Sequence, residues 1–360
     1  MKAAVLERFS GPLHIRDVPD PICPQDGAVI AVQACGVCRS DHHAWVGADP
    51  DVALPHIMGH EFAGEVIEVG PNCHRFAKGD RVTAPFILGC GHCSDCRAGQ
   101  PTICETQAVI GFTFWGSFAQ AVAIPAADYN LVALPDSLDA VSAAGMGCRV
   151  TTAWRALVDR ADVRPGEWVA VHGCGGVGLA AILICAALGA RVVAVDVSPG
   201  ALDQARAFGA EHCIDASQGS DSVIEAVRAV TGGGAHVSLD ALGITATFAA
   251  SLGGLRKLGR HVQVGMPVGS HATVNLPLLD LIHARQLIVV GTRGLGASGF
   301  APRMPLIEGG RFDPSVLAMQ RIPLGQAEAA LRAMDSGAHP PVCDGHRPVR
   351  RLRLIADRAP

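Results

Sequence analysis

The chain has 360 residues, 49% hydrophobic and 17% charged, the composition of a folded protein with sizeable cores rather than of a disordered or fibrous one. A net charge of −4 offers nucleic acid or an anionic lipid surface little to hold, and no apolar run reaches the length of a membrane span. Thirteen cysteines, in a chain whose Met1 leads directly into a strand-like run without a signal peptide, predict a cytoplasmic protein whose thiols serve metal rather than disulfides.

Up to about Arg149, short apolar runs at 2–7, 29–32, 64–69 and 80–84 read as strands. They are separated by Gly- and Pro-containing loops that carry Cys and His, the pattern of a β-rich domain. From about Val150 to Thr292 the pattern changes. Strands at 167–172, 191–196, 235–240, 260–264 and 286–290 alternate with helices, of which 176–188 and 200–208 are the clearest. Such alternation, with strands apolar on both faces, predicts an α/β fold with a doubly wound parallel sheet. Residues 293–360 are too few for a core of their own and are expected to pack back onto the first part.

Cys90, Cys93, Cys96 and Cys104 form a tight set, with glycines at 89, 91 and 99 for the turns. Four thiolates at this spacing close a tetrahedron around Zn²⁺ and leave no open position, so this site reads as structural. A second set is dispersed: Cys38, then His60 beside Glu61, then Cys148. A thiolate, an imidazole and a thiolate leave a fourth zinc position for a substrate oxygen, but spacing alone does not bring the three together. Taken singly, Cys38 or Cys148 is more often a small buried core residue, and His60 reads also as a satisfied core histidine.

Gly173, Gly175, Gly176 and Gly178 follow one predicted strand and open a helix, and Asp196 ends the next strand. Glycines there let backbone approach a pyrophosphate at the helix N-terminus, and the acid reaches the ribose hydroxyls of NAD.

Together, in this order, these motifs resemble the medium-chain zinc-dependent alcohol dehydrogenase family along nearly the whole chain. The resemblance implies a GroES-like catalytic domain split into 1–149 and 293–360 around a Rossmann NAD-binding domain at 150–292. It implies two zinc ions per chain and NAD, with Cys38, His60 and Cys148 on the catalytic zinc and Glu61 beside it as an outer or alternate ligand. Ser40 and His43 match the family's proton relay, and Asp41 would orient the ligands. Arg39 matches a contact to the coenzyme pyrophosphate; Thr152, Val177 and Val264 match residues lining the nicotinamide. Trp45 and Phe86 would border the substrate, with Phe112 or Trp115 as additions. The implied reaction interconverts alcohols, apolar primary ones first, with aldehydes or ketones by hydride transfer to or from NAD. The implied assembly is a homodimer or homotetramer, with no nucleic-acid or membrane partner. A polyol or amino-alcohol dehydrogenase of the same superfamily is the alternative enzyme, and a catalytically silent nucleotide-binding protein the alternative of another class. The Arg-rich end, from Arg347 to Pro360, departs from the family pattern.

Overall fold

In the computed structural model, residues 1–317, 320–334 and 342–344 are described. The N-terminal part is built from antiparallel strands. β1 (Lys2–Leu6) pairs with β2 (Leu13–Asp17), while β3 (Ala28–Gly36), β4 (Glu61–Val69) and β5 (Arg81–Thr83) form the centre of a larger sheet. β3 is apolar almost throughout because it is central and covered on both faces. Val342–Asp344 adds to its other edge, with Val342 opposite Gly36, and Arg321–Pro323 pairs beyond it. The end of the described chain therefore completes the sheet that its beginning starts.

Between these parts lies a six-stranded, all-parallel sheet. Its strands are β6 (Trp168–His172), β7 (Arg191–Asp196), β8 (His212–Asp215), β9 (Ala235–Asp240), β10 (Leu255–Gln263) and β11 (Ile288–Gly291). Their order is β8-β7-β6-β9-β10-β11. Alternate side chains of β6 face different helices. Val169 and Val171 join the cluster of Ala180, Ala181 and Ile184, whereas Trp168 and Ala170 join that of Val223, Val227 and Ala250. This two-sided burial keeps parallel strands continuously apolar and makes them legible in the sequence. The order reverses at β6, between β7 and β9, which opens a crevice at the carboxyl ends of these strands.

β8 was not expected from the sequence. Its four residues, His-Cys-Ile-Asp, are short, partly polar and half-buried, as suits an edge strand. Residues 39–46, expected as loop, form helix α1 (Arg39–Val46). Its first turn is closed by Asp41, whose Oδ2 accepts from the Cys38 amide (2.9 Å).

Two large cores meet at the crevice. One fills the N-terminal sheets and takes in Ile322, Leu324, Leu331 and Met334; the other lies under the parallel sheet. Leu295, Phe300, Met304, Phe312 and Leu317 pack in the second core, so the return to the first sheet comes only after them. Among the described residues no helix is long and apolar enough to cross a membrane. The Arg-rich residues 347–360 lie outside the described ones.

Candidate active site

Three separate stretches converge on one buried point. β3 ends at Gly36 and delivers Cys38 ahead of α1; Gly59 turns the chain so that His60 precedes β4; a one-turn helix at Met146–Val150 carries Cys148. One donor atom each from Cys38, His60, Glu61 and Cys148 lies within 4.8 Å of all the others, with the two sulfurs 4.0 Å apart. His60 is fully buried. Its Nδ1 lies 2.9 Å from Asp41 Oδ1, which leaves Nε2 without a partner among the described residues and free for a metal. A buried, unpaired ring nitrogen between two thiols has the chemistry of a zinc site with an open position, so the residues fit that ion.

The electrostatics run the same way. Hydrogen bonding from Cys148, helped by His60 and Arg149, brings the Cys38 thiol well below its usual range against burial. The same hydrogen bond to Cys38, together with burial, holds the Cys148 thiol well above its usual range. For His60, burial opposes protonation, but Asp41 and Cys38 raise its pKa well above the ordinary value. These directions favour a thiolate at Cys38 beside a protonated His60, and a divalent cation would take the place of those protons and stabilise both thiolates.

In the loop of Cys90, Cys93, Cys96 and Cys104, sulfur separations of 3.9 Å (Cys90–Cys96) and 3.8 Å (Cys93–Cys104) match the spacing of roughly 3.8 Å expected for four sulfurs about 2.3 Å from one zinc. Backbone amides of Cys90, Cys93 and Cys96 donate to sulfurs of the set at 3.3–3.4 Å. Amides of His92 and Cys93 push the Cys90 thiol down to about 6, while burial pushes Cys96 up to about 12. Tyr129 covers the loop. Its hydroxyl donates to the Cys96 carbonyl (2.9 Å), and its ring stands so close to Gly91 that a Cβ there would lie 3.1 Å from it.

From the buried cluster a cavity of about 630 Å³ runs along the carboxyl edge of the parallel sheet, from Cys38 and His43 past Gly173–Gly178 to Asp196. α2 (Gly176–Ala187) begins there from an extended Gly175, and no side chain caps it. Its first amides are left for an anion. Gly173 has φ +92°, and a Cβ on Gly178 would collide with the Gly173 carbonyl, so glycine is required at both. The Asp196 carboxylate accepts from the amides of Cys174 (2.7 Å) and Ser198 (2.9 Å), which fixes it at the tip of β7. A bare helix N-terminus, a glycine cradle and a tethered acid fit a dinucleotide. Val177 and Arg39 also line this cavity, and Arg39 Nη2 donates to the Met334 carbonyl (2.5 Å). Thr152 is buried with its hydroxyl unpaired among the described residues, and the Val264 amide extends β10 by bonding the Asp240 carbonyl (3.0 Å).

Ser40 Oγ lies 3.8 Å from Cys38 Sγ, and His43, half-buried, lines the cavity three residues on. Burial, with His42 second, lowers the His43 pKa. Phe86 and Phe112 flank His60, with ring centroids at 5.8 and 5.4 Å. Trp45 is turned into the N-terminal core, where its indole donates to the Gly11 carbonyl (2.7 Å), and Trp115 is exposed.

Sequence reasoning missed two residues. Arg149 is 2% exposed and grips Glu61 through Nε (3.2 Å) and Nη2 (2.5 Å). His172, at the tip of β6, lines the cavity with both ring nitrogens unpaired among the described residues. For Arg149 a signal existed, because an arginine directly after a predicted ligand in an apolar stretch needs a buried acid. His172 looked like the last residue of an apolar strand.

Two family descriptions match the chain: an alcohol dehydrogenase GroES-like domain over residues 24–136 and a zinc-binding dehydrogenase over 176–308. An alcohol dehydrogenase of Geobacillus stearothermophilus is 36% identical over 298 residues, 81% of this chain and 86% of its own. An NAD-dependent alcohol dehydrogenase of Sulfurisphaera tokodaii is 32% identical over 93% of this chain and 96% of its own. Among solved structures, an alcohol dehydrogenase from Thermus sp. ATN1 superposes with a TM-score of 0.87 at 30% identity, covering 96% of this chain and 99% of that one.

Proposed function

The chain belongs to the medium-chain zinc-dependent alcohol dehydrogenase family and is an NAD-dependent enzyme of it, and from that premise we propose that it oxidises apolar primary alcohols, and reduces their aldehydes, at the Cys38–His60–Cys148 cluster. The observation that carries this reading is the buried, unpaired His60 Nε2, flanked by Phe86 and Phe112 and clustered with Cys38, which lines the dinucleotide cavity. Cys38, His60 and Cys148 would hold the catalytic zinc, and Cys90, Cys93, Cys96 and Cys104 the structural one. When bound, zinc supplies a Lewis acid that makes an alcohol acidic near neutral pH, and NAD supplies the hydride acceptor.

This chain's own groups do the rest. Asp41 holds His60 by Nδ1 and so aims Nε2 at the cluster. Ser40 Oγ takes the proton of the substrate hydroxyl and hands it toward His43 at the cavity wall. A neutral His43 is the form that accepts it, and burial, which lowers its pKa, favours that form. Asp196 receives the adenosine ribose, the α2 amides receive the pyrophosphate, and Arg39, Thr152, Val177 and Val264 border the rest of the coenzyme. Phe86 and Phe112 give the substrate an apolar wall. Trp45, committed to Gly11, acts behind α1 rather than at the wall.

On this reading 1–149, with the described residues 321–334 and 342–344, would form the catalytic part, and the parallel sheet with its helices the coenzyme part. The exposed apolar edge at β11 favours a homo-oligomer.

The test is initial rates over a series from ethanol to hexanol and benzyl alcohol with NAD. Each added buried methylene is expected to contribute up to about 0.8 kcal/mol, raising kcat/KM along the series. Equal efficiency for ethanol and hexanol, or a preference for sorbitol or threonine, would replace this substrate class.

A further inference from the structure

Resting on the reading that Cys38, His60 and Cys148 hold the catalytic zinc, we propose that Arg149 is a positioning residue that keeps Glu61 off that metal and so keeps the fourth position open to substrate. The cluster contains one donor too many for an open site. A Glu61 oxygen lies within 4.8 Å of the donor atoms of Cys38, His60 and Cys148, and four protein ligands close a tetrahedron. Glu61 is fully buried, so its carboxylate must bind some cation. Among the described residues Arg149 is the cation that hydrogen-bonds it, and the metal is the competitor.

The geometry commits Glu61 to Arg149. Oε1 accepts from Arg149 Nε (3.2 Å) and from the Arg149 backbone amide (3.2 Å), and Oε2 accepts from Nη2 (2.5 Å). The planar fork thus holds both oxygens at once, which a single ammonium cannot do. The guanidinium is held in turn from both domains. Nη2 also donates to the Val37 carbonyl (3.2 Å) at the end of β3. Gly36 makes room for the pair: a Cβ there would collide with Glu61 Oε2 and lie 3.1 Å from Arg149 Nη2, whereas Cβ atoms on Gly145 and Gly176 would meet the arginine only at ordinary contact, 3.5 Å. Gly176 opens α2, and it lines the coenzyme cavity together with the same arginine that restrains the carboxylate.

The test uses protein reconstituted with cobalt(II) in place of zinc, and imidazole as the probe. Imidazole can enter only an open metal position, so its difference spectrum in the visible ligand-field bands reports the dispersed site and not the closed four-thiolate loop. The wild type is expected to bind imidazole with a spectral change. Arg149→Met is expected to keep its full cobalt content while its imidazole affinity falls about tenfold or more, the scale on which a partner of a ligand alters a metal site. Arg149→Met with Glu61→Gln removes both charges together and is expected to restore the wild-type response. A wild-type response in Arg149→Met, or no recovery in the double variant, overturns the clamp. Should Arg149→Met fail to fold, Arg149→Lys decides: it keeps the charge without the fork, and imidazole binding equal to wild type overturns the proposal. A wild-type cobalt protein silent to imidazole overturns the underlying site reading, and the clamp with it.

Discussion

Asp196 shows how one residue was legible as a type but not as a device. Its distance from Gly173 marked it as the ribose acid, yet the sequence did not show that its two oxygens are tied to the Cys174 and Ser198 amides. On the proposed placement of the ribose, that tether would fix a negative charge where a 2′-phosphate would sit, and no cation stands among residues 197–200 to receive one. Wild type is expected to prefer NAD over NADP by roughly 10²-fold or more in kcat/KM, as several kcal/mol of like-charge contact implies. Asp196→Ala is expected to shrink this ratio, mainly by weakening NAD. An unmoved ratio would remove Asp196 from coenzyme selection. His172 makes a second prediction at this scale. Burial pushes its pKa down to about 4, against 6.5 when unfolded. Between those values the unfolded chain binds the extra proton, so His172 lowers stability progressively as pH falls from 6.5 toward 4, by up to about 3 kcal/mol. Urea unfolding at pH 7 and pH 5 is expected to show a larger loss for wild type than for His172→Phe. Equal losses would contradict this.

At the scale of elements, the cysteine loop was the most readable part of the chain, because its four cysteines lie within fifteen residues and the sulfurs of Cys90, Cys93 and Cys104 each accept from an amide of the set. Cys93→Ser removes the sulfur that accepts from the Cys96 amide and approaches Cys104 to 3.8 Å. Metal analysis is expected to find about one zinc fewer per chain, with stability lower by several kcal/mol, a part of the roughly 10–16 kcal/mol by which structural zinc holds small domains. Full zinc content in the variant would rule out the four-thiolate site. The dispersed cluster was harder to read. Cys38, His60 and Cys148 meet only because β3, β4 and the Met146–Val150 turn converge, and that convergence is tertiary. The family resemblance, not spacing, grouped them. The same limit applies to Trp45: its place beside the relay segment suggested the pocket wall, but α1 rotates it toward Gly11. Helix periodicity in an eight-residue segment rich in His and Asp is too weak to predict which way that helix faces.

At the scale of the whole molecule, strands of the parallel sheet that are unbroken apolar runs were legible, the margin β11 included, and the short, partly polar margin β8 was not. The parallel strands β6, β7 and β9 stood out as unbroken apolar runs, whereas β8 at one margin did not. The opposite margin, β11, exposes Ile288 and Val289, with Leu278 and Leu279 exposed nearby at 63% and 70%. A strand edge that is unpaired among the described residues, beside apolar side chains, is a template for another strand. Sedimentation is expected to show a dimer or larger assembly of this chain, and Val289→Lys is expected to shift it toward monomer with activity per chain largely kept. A monomeric wild type would refute pairing through β11.

Tyr129 is the one tyrosine in 360 residues, and it lies on the cysteine loop with its hydroxyl on the Cys96 carbonyl. The enzyme therefore carries a built-in gauge of that loop. Grown on fluorotyrosine, it would give a single fluorine resonance, and that line would time the loss of metal from the loop separately from the loss of turnover at the distant cluster.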